Sequence, residues 1–238
     1  MSNPFYSIIV PVYNEEENVQ ILTNEIVSVM EKLNKPYEII YIDDGSKDKS
    51  LEIMKKLKSE NPQIRIIVFE KNSGQSAALD AGFRKAKGEV IITMDADLQN
   101  DPKDIPLLLD ALKEADAAVG WRATRKDSIK KKITSRLGNF FRNLFLGERI
   151  HDTGCSLKAF KKETIGRLKL FKGMHRFLPA LVTMEGYKVV EVKVNHRPRV
   201  YGKTKYGFFD RFLTATPDLF AVIWMKRRVI PYRIKEEI

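Results

Sequence analysis

The chain has 238 residues, 43% of them hydrophobic and 31% charged, which is enough apolar mass for one sizeable α/β domain and too much for global disorder. Cys155 is the one cysteine, so an internal disulfide and a thiolate metal cluster are excluded and a reducing compartment fits. The net charge of +11 is uneven: residues 1–118 hold 14 Lys and Arg against 21 Asp and Glu, a net of −7, and the remainder holds 28 against 10, a net of +18. A basic half suits phosphorylated ligands, anionic lipid or nucleic acid, or is a solvated lysine-rich surface.

In chain order, the amino terminus shows neither a basic n-region nor a small-residue cleavage site, so no signal peptide is expected. Four near-continuous β-branched runs follow: "YSIIVPVYN" (6–14), "YEIIYIDDG" (37–45), "IRIIVFEKN" (64–72) and "EVIITMDAD" (89–97). Runs without polar alternation are expected of strands covered on both faces. Between them, Val19, Leu22, Ile26, Val29 and Leu33 recur at helical spacing, as do Leu51, Met54 and Leu57, while Ala77, Ala81 and Ala86 line a third helix. Asp48 and Ser50 are plausible caps of the second helix. This alternation predicts a doubly wound, mostly parallel sheet flanked by helices. From about 119 the character changes to basic residues mixed with the apolar pattern Ile133, Leu137, Phe140, Phe141, Leu144 and Phe145, an elaboration on the first half.

Open parallel sheets bind ligands beyond the carboxyl ends of their strands. Each of those ends is polar here: Tyr13, Asn14 and Glu15; Asp43, Asp44 and Ser46; Asn72 and Gly74; Asp95 and Asp97. Asp95 and Asp97 leave an extended chain on the same side. Neighbouring carboxylates repel, so a fold keeps them together beside a cation or with one protonated. Magnesium and manganese take few oxygen ligands from protein and complete their shell with water and phosphates, so this pattern suits a metal on a diphosphate. Gln99 can add an amide oxygen, and Asp101, before Pro102, reads as the cap of the next helix.

"IIVPVYNEEENV", "YIDDGSKDKS", "NSGQSAALDAGFRKAKGEVIITMDADLQNDP" and "RPRVYGKTKYG", in that order, resemble the family 2 glycosyltransferases of GT-A fold, in particular polyprenol-phosphate sugar synthases of the dolichol-phosphate mannose synthase type. The resemblance covers about residues 5–210 and places a catalytic domain over 1–206. It implies a nucleotide-sugar donor, Mg²⁺ or Mn²⁺, and a polyprenyl phosphate acceptor. By motif, Pro11, Tyr13 and Glu15 frame the nucleoside, Asp43 holds the base with Asp44 beside it, and Asp95, Asp97 and Gln99 hold the metal. Arg122 contacts donor phosphates; Lys131 and Ser135 stand where the family usually has Arg and Ser, and the Lys lacks the bidentate fork. Arg199 and Lys205 grip phosphates from a loop whose glycines allow closure. Asp152 matches an aspartate near the acceptor, or is a turn residue before Gly154. The sugar implied is mannose from GDP-mannose, with UDP-sugar donors such as glucose or an aminosugar as the alternative.

Sugar transfer to an alcohol needs a base, which hydroxyl-directed members take from a Glu-Asp pair; the chain has no Glu-Asp dipeptide and no Gln-X-X-Arg-Trp. A phosphate monoester, with a second pKa of about 6, is already an anion and attacks without one. Replacement at the anomeric carbon then inverts it. His151, His175 and His196 show no ligand spacing and read as structural, and Cys155 reads as a packed thiol.

Residues 207–238 form an amphipathic tail, a membrane interface or a dimer contact, with Phe, Leu, Ile and Trp between basic ends, and "FFRNLFLGERI" repeats the mixture. Pro217 and Asp218 interrupt an apolar run already shorter than the roughly 20 residues that span a bilayer, so a peripheral protein on the cytoplasmic face is expected. Three other readings compete: a glycosyltransferase acting on a hydroxyl, which lacks its base; a nucleotidyltransferase, whose Gly-rich signature near the first strand "PVYNEEEN" does not supply; and a nucleic-acid module, which lacks a recognition motif and whose acidic rim would repel a phosphate backbone. No nucleic-acid partner is expected.

Overall fold

The computed structural model describes residues 3–123, 147, 150–166, 168, 170–199, 208–229 and 236. Strands β1 (Tyr6–Val12), β2 (Tyr37–Asp43), β3 (Ile64–Val68) and β4 (Val90–Thr93) alternate with helices α1 (Val19–Lys32), α2 (Ser50–Glu60) and α3 (Gln75–Lys85). A 3₁₀ turn at Pro102–Asp104 leads into α4 (Ile105–Ala111) and β5 (Ala117–Trp121). Then come β6 (Lys158–Lys161), α5 (Lys162–Gly166), α6 (Leu178–Met184), β7 (Val189–Lys193) and α7 (Phe208–Lys226). They form one seven-stranded sheet in the order β3-β2-β1-β4-β6-β5-β7. All neighbours are parallel except β6, which runs antiparallel to both β4 and β5.

Alternation along the central strands sends successive side chains into two cores. Ile8, Val10, Ile39 and Tyr41 meet Val19, Leu22 and Ile26 of α1 and Met54 of α2 on one face. On the other, Ile9, Ile40 and Ile42 meet Ala78, Leu79 and Phe83 of α3, with Leu178 of α6 and Val222 of α7. Burial on both faces is why these strands read as unbroken apolar runs.

The structure corrects the sequence reading in several places. The strands stop short of the expected runs, β2 alone keeping one residue of its polar end, Asp43, which leaves residues 13–18, 44–49 and 94–101 as loops. β3 is an edge strand, only partly covered, with Val68 exposed, because its apolar run reflects β-propensity without a second layer over it. The core face of α3 is Ala78, Leu79, Gly82 and Phe83, with Ala86 after it; Ala77 and Ala81 stand half-buried beside it. Small residues carry too weak a hydrophobic signal to phase a helix. Asp48 and Ser50 flank the cap position of α2, Lys49, and Asp48 Oδ1 accepts from the Ser50 N–H at 3.0 Å. Asp101 caps as expected, accepting from the Lys103 N–H at 3.0 Å. β6 and β7 had no counterpart among the expected strands. The 133–145 pattern lies outside the described residues.

At the end of the sheet remote from the polar loops, Glu38 is buried and ties β2 to three other segments. It accepts from Ser7 Oγ and the Lys87 N–H, both at 2.7 Å, and from Arg65 Nη1. Burial alone would raise its pKa, but Ser7, Arg65 and Lys87 together outweigh that and hold it below the usual carboxylate range.

Two stability outcomes follow. A Cβ at Gly82 would sit 2.4 Å from Ile9 Cγ2 and 3.2 Å from Ile42 Cδ1, both fully buried. Gly82→Ala is therefore expected to destabilise by about 1–3 kcal/mol in denaturant melts, despite the helical gain of alanine. Because the folded pKa of Glu38 is depressed, its stabilisation is full above the ordinary glutamate value and is lost as pH falls through the folded one. Glu38→Gln should lower the melting temperature at pH 7, and its gap to wild type should close in acid; a gap that is constant with pH contradicts the assignment.

Candidate active site

The carboxyl ends of β1, β2 and β4 open on one rim. Val12 lies opposite Asp43 across β1 and β2, and the loops that follow are stitched together. Asn14 N–H donates to Ser46 Oγ at 3.0 Å, Glu15 N–H to Ser50 Oγ at 2.8 Å, and Lys47 N–H to Asn14 Oδ1 at 2.8 Å. Asn14 takes a left-handed φ of 53°, which asparagine tolerates better than most residues. Glu15 accepts from Asn18 Nδ2 at 2.6 Å, bracing the turn into α1. Pro11, within β1, and Tyr13, just after it, are half-buried.

Asp43 is buried and accepts from the Ser46 N–H at 3.2 Å through one oxygen. Asp44 is committed to the loop after β3, accepting from the Ser73 and Gly74 N–H groups at 2.6 and 2.9 Å and from Asn72 Nδ2 at 3.0 Å. Burial raises its pKa, helped by the charge of Asp43 and opposed by those two backbone donors. Its part is thus to shape the rim beside Asp43.

Beyond β4 come the two aspartates that the sequence singles out. Asp95 Oδ1 accepts from Gln75 Nε2, at the start of α3, at 2.7 Å. Burial and then the charge of Asp97 push the Asp95 pKa up to about 6, against the Ser156 hydroxyl, Lys158 and Arg122. Asp97 is buried; its Oδ1 accepts from the Gln99 N–H at 3.1 Å, and its Oδ2 accepts from Arg199 Nη2 at 2.6 Å. Between Asp97 and Gln99, Leu98 holds a φ of 60°, costly for a residue with a Cβ and kept only where its surroundings enforce it.

A divalent cation fits this chemistry. Two mutually repelling carboxylates and an amide share one loop, and a guanidinium already stands as a cation on one of them. Among the described residues no group of three or more His, Cys, Asp or Glu side chains could hold a metal ion. Asp95, Asp97 and Gln99 would therefore supply part of a shell and leave the rest to water and phosphate oxygens.

A second charged cluster lies behind the first. Arg122, just after β5, donates from Nε to Asp152 Oδ2 at 2.7 Å and from Nη2 to Oδ1 at 3.0 Å. Burial works against the Arg122 charge, yet Asp152, Cys155 and Asp95 outweigh it and raise its pKa. Glu191 of β7 accepts from the His151 and Asp152 N–H groups at 2.8 and 3.1 Å, and its other oxygen lies 2.7 Å from His151 Nδ1. His151 also stacks on Trp121, with centroids 4.4 Å apart and planes at 18°. His175 Nδ1 lies 2.8 Å from Ser76 Oγ.

The fold thus brings Asp95, Asp97, Gln99, Arg122, Asp152 and Arg199 into one region, with Pro11 and Asp43 at the ends of β1 and β2 and Asp44, Tyr13 and Glu15 on the loops that follow. Lys131, Ser135 and Lys205 lie outside the described residues. The sequence reading missed Lys158 of β6, a buried lysine that donates to the Cys155 carbonyl and whose pKa burial lowers, against the pull of Cys155, Asp95 and Asp152. A lone lysine inside the apolar "SLKAF" was the available signal. Glu191, in "VVEVKV", looked like ordinary strand alternation. Cys155 is fully buried, a packed thiol whose pKa burial raises.

The sequence profile of Glycosyl transferase family 2 matches residues 7–168. Dodecaprenyl-phosphate galacturonate synthase of Rhizobium johnstonii is 39% identical over 227 residues, 93% of this chain and 67% of its own length. Undecaprenyl-phosphate 4-deoxy-4-formamido-L-arabinose transferase of Pectobacterium atrosepticum is 36% identical over 204 residues, 85% of this chain and 62% of its own. The chain therefore spans about two thirds of these relatives. Among solved structures, the mannosyltransferase PcManGT of Pyrobaculum calidifontis, in complex with GDP-Man and Mn²⁺, aligns over 98% of this chain and 67% of its own at TM-score 0.66 and 18% identity. Glucosyl-3-phosphoglycerate synthase of Mycobacterium tuberculosis, with Mn²⁺, UDP and phosphoglyceric acid, aligns over 96% and 80% at TM-score 0.69 and 15% identity. At those identities the likeness is one of fold, the GT-A arrangement.

The Arg122–Asp152 fork is nearly closed to solvent, with side chains 13% and 5% exposed. Removing one partner strands a buried charge, which costs about 3–5 kcal/mol. Asp152→Ala should show that loss in chemical denaturation, whereas Arg122→Met with Asp152→Leu together should recover much of it; equal losses in both would argue against the pairing.

Proposed function

This chain belongs to glycosyl transferase family 2, and from that premise we propose that it transfers a sugar from a nucleotide-sugar donor to a polyprenyl phosphate, inverting the anomeric centre. The observation that carries the reading is the aspartate pair at the end of β4, with Arg199 brought onto Asp97 from more than a hundred residues away (Oδ2–Nη2 2.6 Å, a sequence separation of 102). An anionic, metal-seeking rim backed by arginines suits two phosphorylated substrates. The names of the relatives support the acceptor class, since both carry a polyprenyl phosphate.

Asp43, at the rim beside Pro11 and Tyr13, would take the nucleoside base, with Glu15 and Asp44 bracing the loops around it. Bound Mg²⁺ or Mn²⁺, held by Asp95, Asp97 and Gln99, would supply charge neutralisation on the leaving diphosphate. Arg122 and Arg199, with Lys131, Ser135 and Lys205 assigned by resemblance alone, would hold donor and acceptor phosphates against their mutual repulsion. An oxygen of the lipid phosphate forms the new bond to the anomeric carbon while the bond from that carbon to the diphosphate breaks. No side chain needs to take a proton, because the acceptor is an anion at neutral pH. Asp97 and Asp152 each accept hydrogen bonds from an arginine, so neither is placed as a free general base for a hydroxyl acceptor.

Mannose from GDP-mannose is the donor that the family resemblance suggests. Galacturonate and 4-deoxy-4-formamido-L-arabinose, carried in the relatives' names, compete with it, as does glucose. A peripheral placement at the membrane surface accords with α7. Among the described residues no helix is long and apolar enough to cross a membrane. Leu219, Val222 and Ile223 pack onto the core, while Phe220 and Trp224 are 65% and 62% exposed beside Lys226, Arg227 and Arg228. Exposed aromatics next to basic residues suit an anionic headgroup layer.

The test is transfer of label from nucleotide-activated mannose, glucose, galacturonate or 4-deoxy-4-formamido-arabinose to undecaprenyl or dolichyl phosphate in the presence of Mn²⁺. One donor is expected to carry label into the organic phase, and Asp97→Ala to cut that rate by about a hundredfold or more with an unchanged melt. Transfer from none of them, or transfer indifferent to Asp97, would overturn the proposal.

A further inference from the structure

Two residues before Arg199 stands Arg197, an arginine that the motif reading passes over. It makes a bidentate pair with Glu25 of α1, Nη1 to Oε1 at 2.8 Å and Nη2 to Oε2 at 2.7 Å. The same Nη2 donates to the Asn100 carbonyl at 2.8 Å and lies 3.8 Å from Asp101 Oδ1, and the Arg197 N–H donates to the Gln99 carbonyl at 3.0 Å. One residue thus joins α1, the loop that carries Asp97 and Gln99, and the segment that carries Arg199. A neighbouring tie fixes the same segment: Asp104 accepts from Asn195 N–H at 2.7 Å and from Asn195 Nδ2 at 3.1 Å.

An isolated pair as exposed as Glu25 and Arg197, at about a third each, would contribute little. What distinguishes this one is the two loop carbonyls that it also holds. Leu98 sits at φ 60°, a conformation that persists only if its flanks are pinned. On one side Asp97 Oδ1 accepts from the Gln99 N–H; on the other Arg197 holds the carbonyls of Gln99 and Asn100. Pro198 between the two arginines fixes its own φ and biases Arg197 to extended backbone, from which residues two apart leave on the same side.

We infer that Arg197, anchored by Glu25, is a positioning residue of the cation site: it holds the strained 97–100 loop in the shape that presents Asp97 and Gln99, and it aims Arg199 at Asp97. The inference rests on the proposed assignment of Asp95, Asp97 and Gln99 to a divalent metal. Partners of this kind around metal ligands typically change affinity 10- to 100-fold when removed.

The experiment is a Mn²⁺ titration followed by electron paramagnetic resonance of the free ion, alone and with UDP or GDP, on wild type and on Arg197→Ala, Arg197→Lys, Glu25→Gln and Asp97→Ala, each with a thermal melt. Arg197→Ala should weaken Mn²⁺ binding about 10- to 100-fold. Arg197→Lys should weaken it too, because an ammonium cannot span both Glu25 oxygens and the Asn100 carbonyl. Glu25→Gln should show a smaller loss, and Asp97→Ala should abolish binding. If Arg197→Ala does not fold, Arg197→Lys and Glu25→Gln carry the test. Wild-type affinity in those two, whatever their melting temperatures, with binding lost in Asp97→Ala, would overturn the positioning role and leave the metal assignment standing. Wild-type affinity in Asp97→Ala would overturn the metal assignment and this inference with it.

Discussion

Asp95 and Asp97 put two like charges at the tip of one strand, in surroundings that already disfavour ionisation. Burial and the neighbouring charge raise Asp95 well above an ordinary carboxylate. Positive charge eases that repulsion, and the fold supplies it from three directions: Arg199 on Asp97 directly, and Lys158 and Arg122 acting on Asp95 through space. The cationic second half of the chain is thus the electrostatic complement of an acidic first half. A metal and two phosphorylated substrates would enter a field that is already divided in this way.

The geometry of the rim is held from below by hydrogen bonds, most of them involving backbone. Asp44 caps the loop after β3, Asn14 is bonded to the loop after β2, Glu15 to Ser50 at the head of α2, and the Gln75 side chain at the head of α3 reaches Asp95. Charged groups that must stay in place are thereby carried by loops fixed to rigid strands and helices. Two left-handed residues, Asn14 and Leu98, lie in these loops, where strain is retained by surrounding bonds.

Behind the rim, charges are paired with little waste of hydrogen-bonding capacity. Glu191 receives the backbone of His151 and Asp152; Asp152 in turn receives the fork of Arg122. The antiparallel strand β6 inserts Lys158 between β4 and β5, so a cation reaches a place that the parallel strands alone could not fill. Arg197 ties down the loop at residues 97–100 much as Asp152 ties down Arg122.

The chain alone determined the parallel half of the sheet, since unbroken runs such as "YEIIYID" are what burial on both faces requires, and it determined the acidic rim, since polar residues interrupt those runs at each carboxyl end. It also gave the family, through motifs whose order is visible without coordinates. Hidden from it were the pairings: which arginine meets Asp97, that Asp152 belongs to Arg122, that Glu25 and Arg197 are partners. These join residues separated by 102, 30 and 172 positions. Periodicity reports which face of an element is buried, but says nothing of which distant charge will be carried opposite it; the sheet order, with β6 reversed between β4 and β5, decided that.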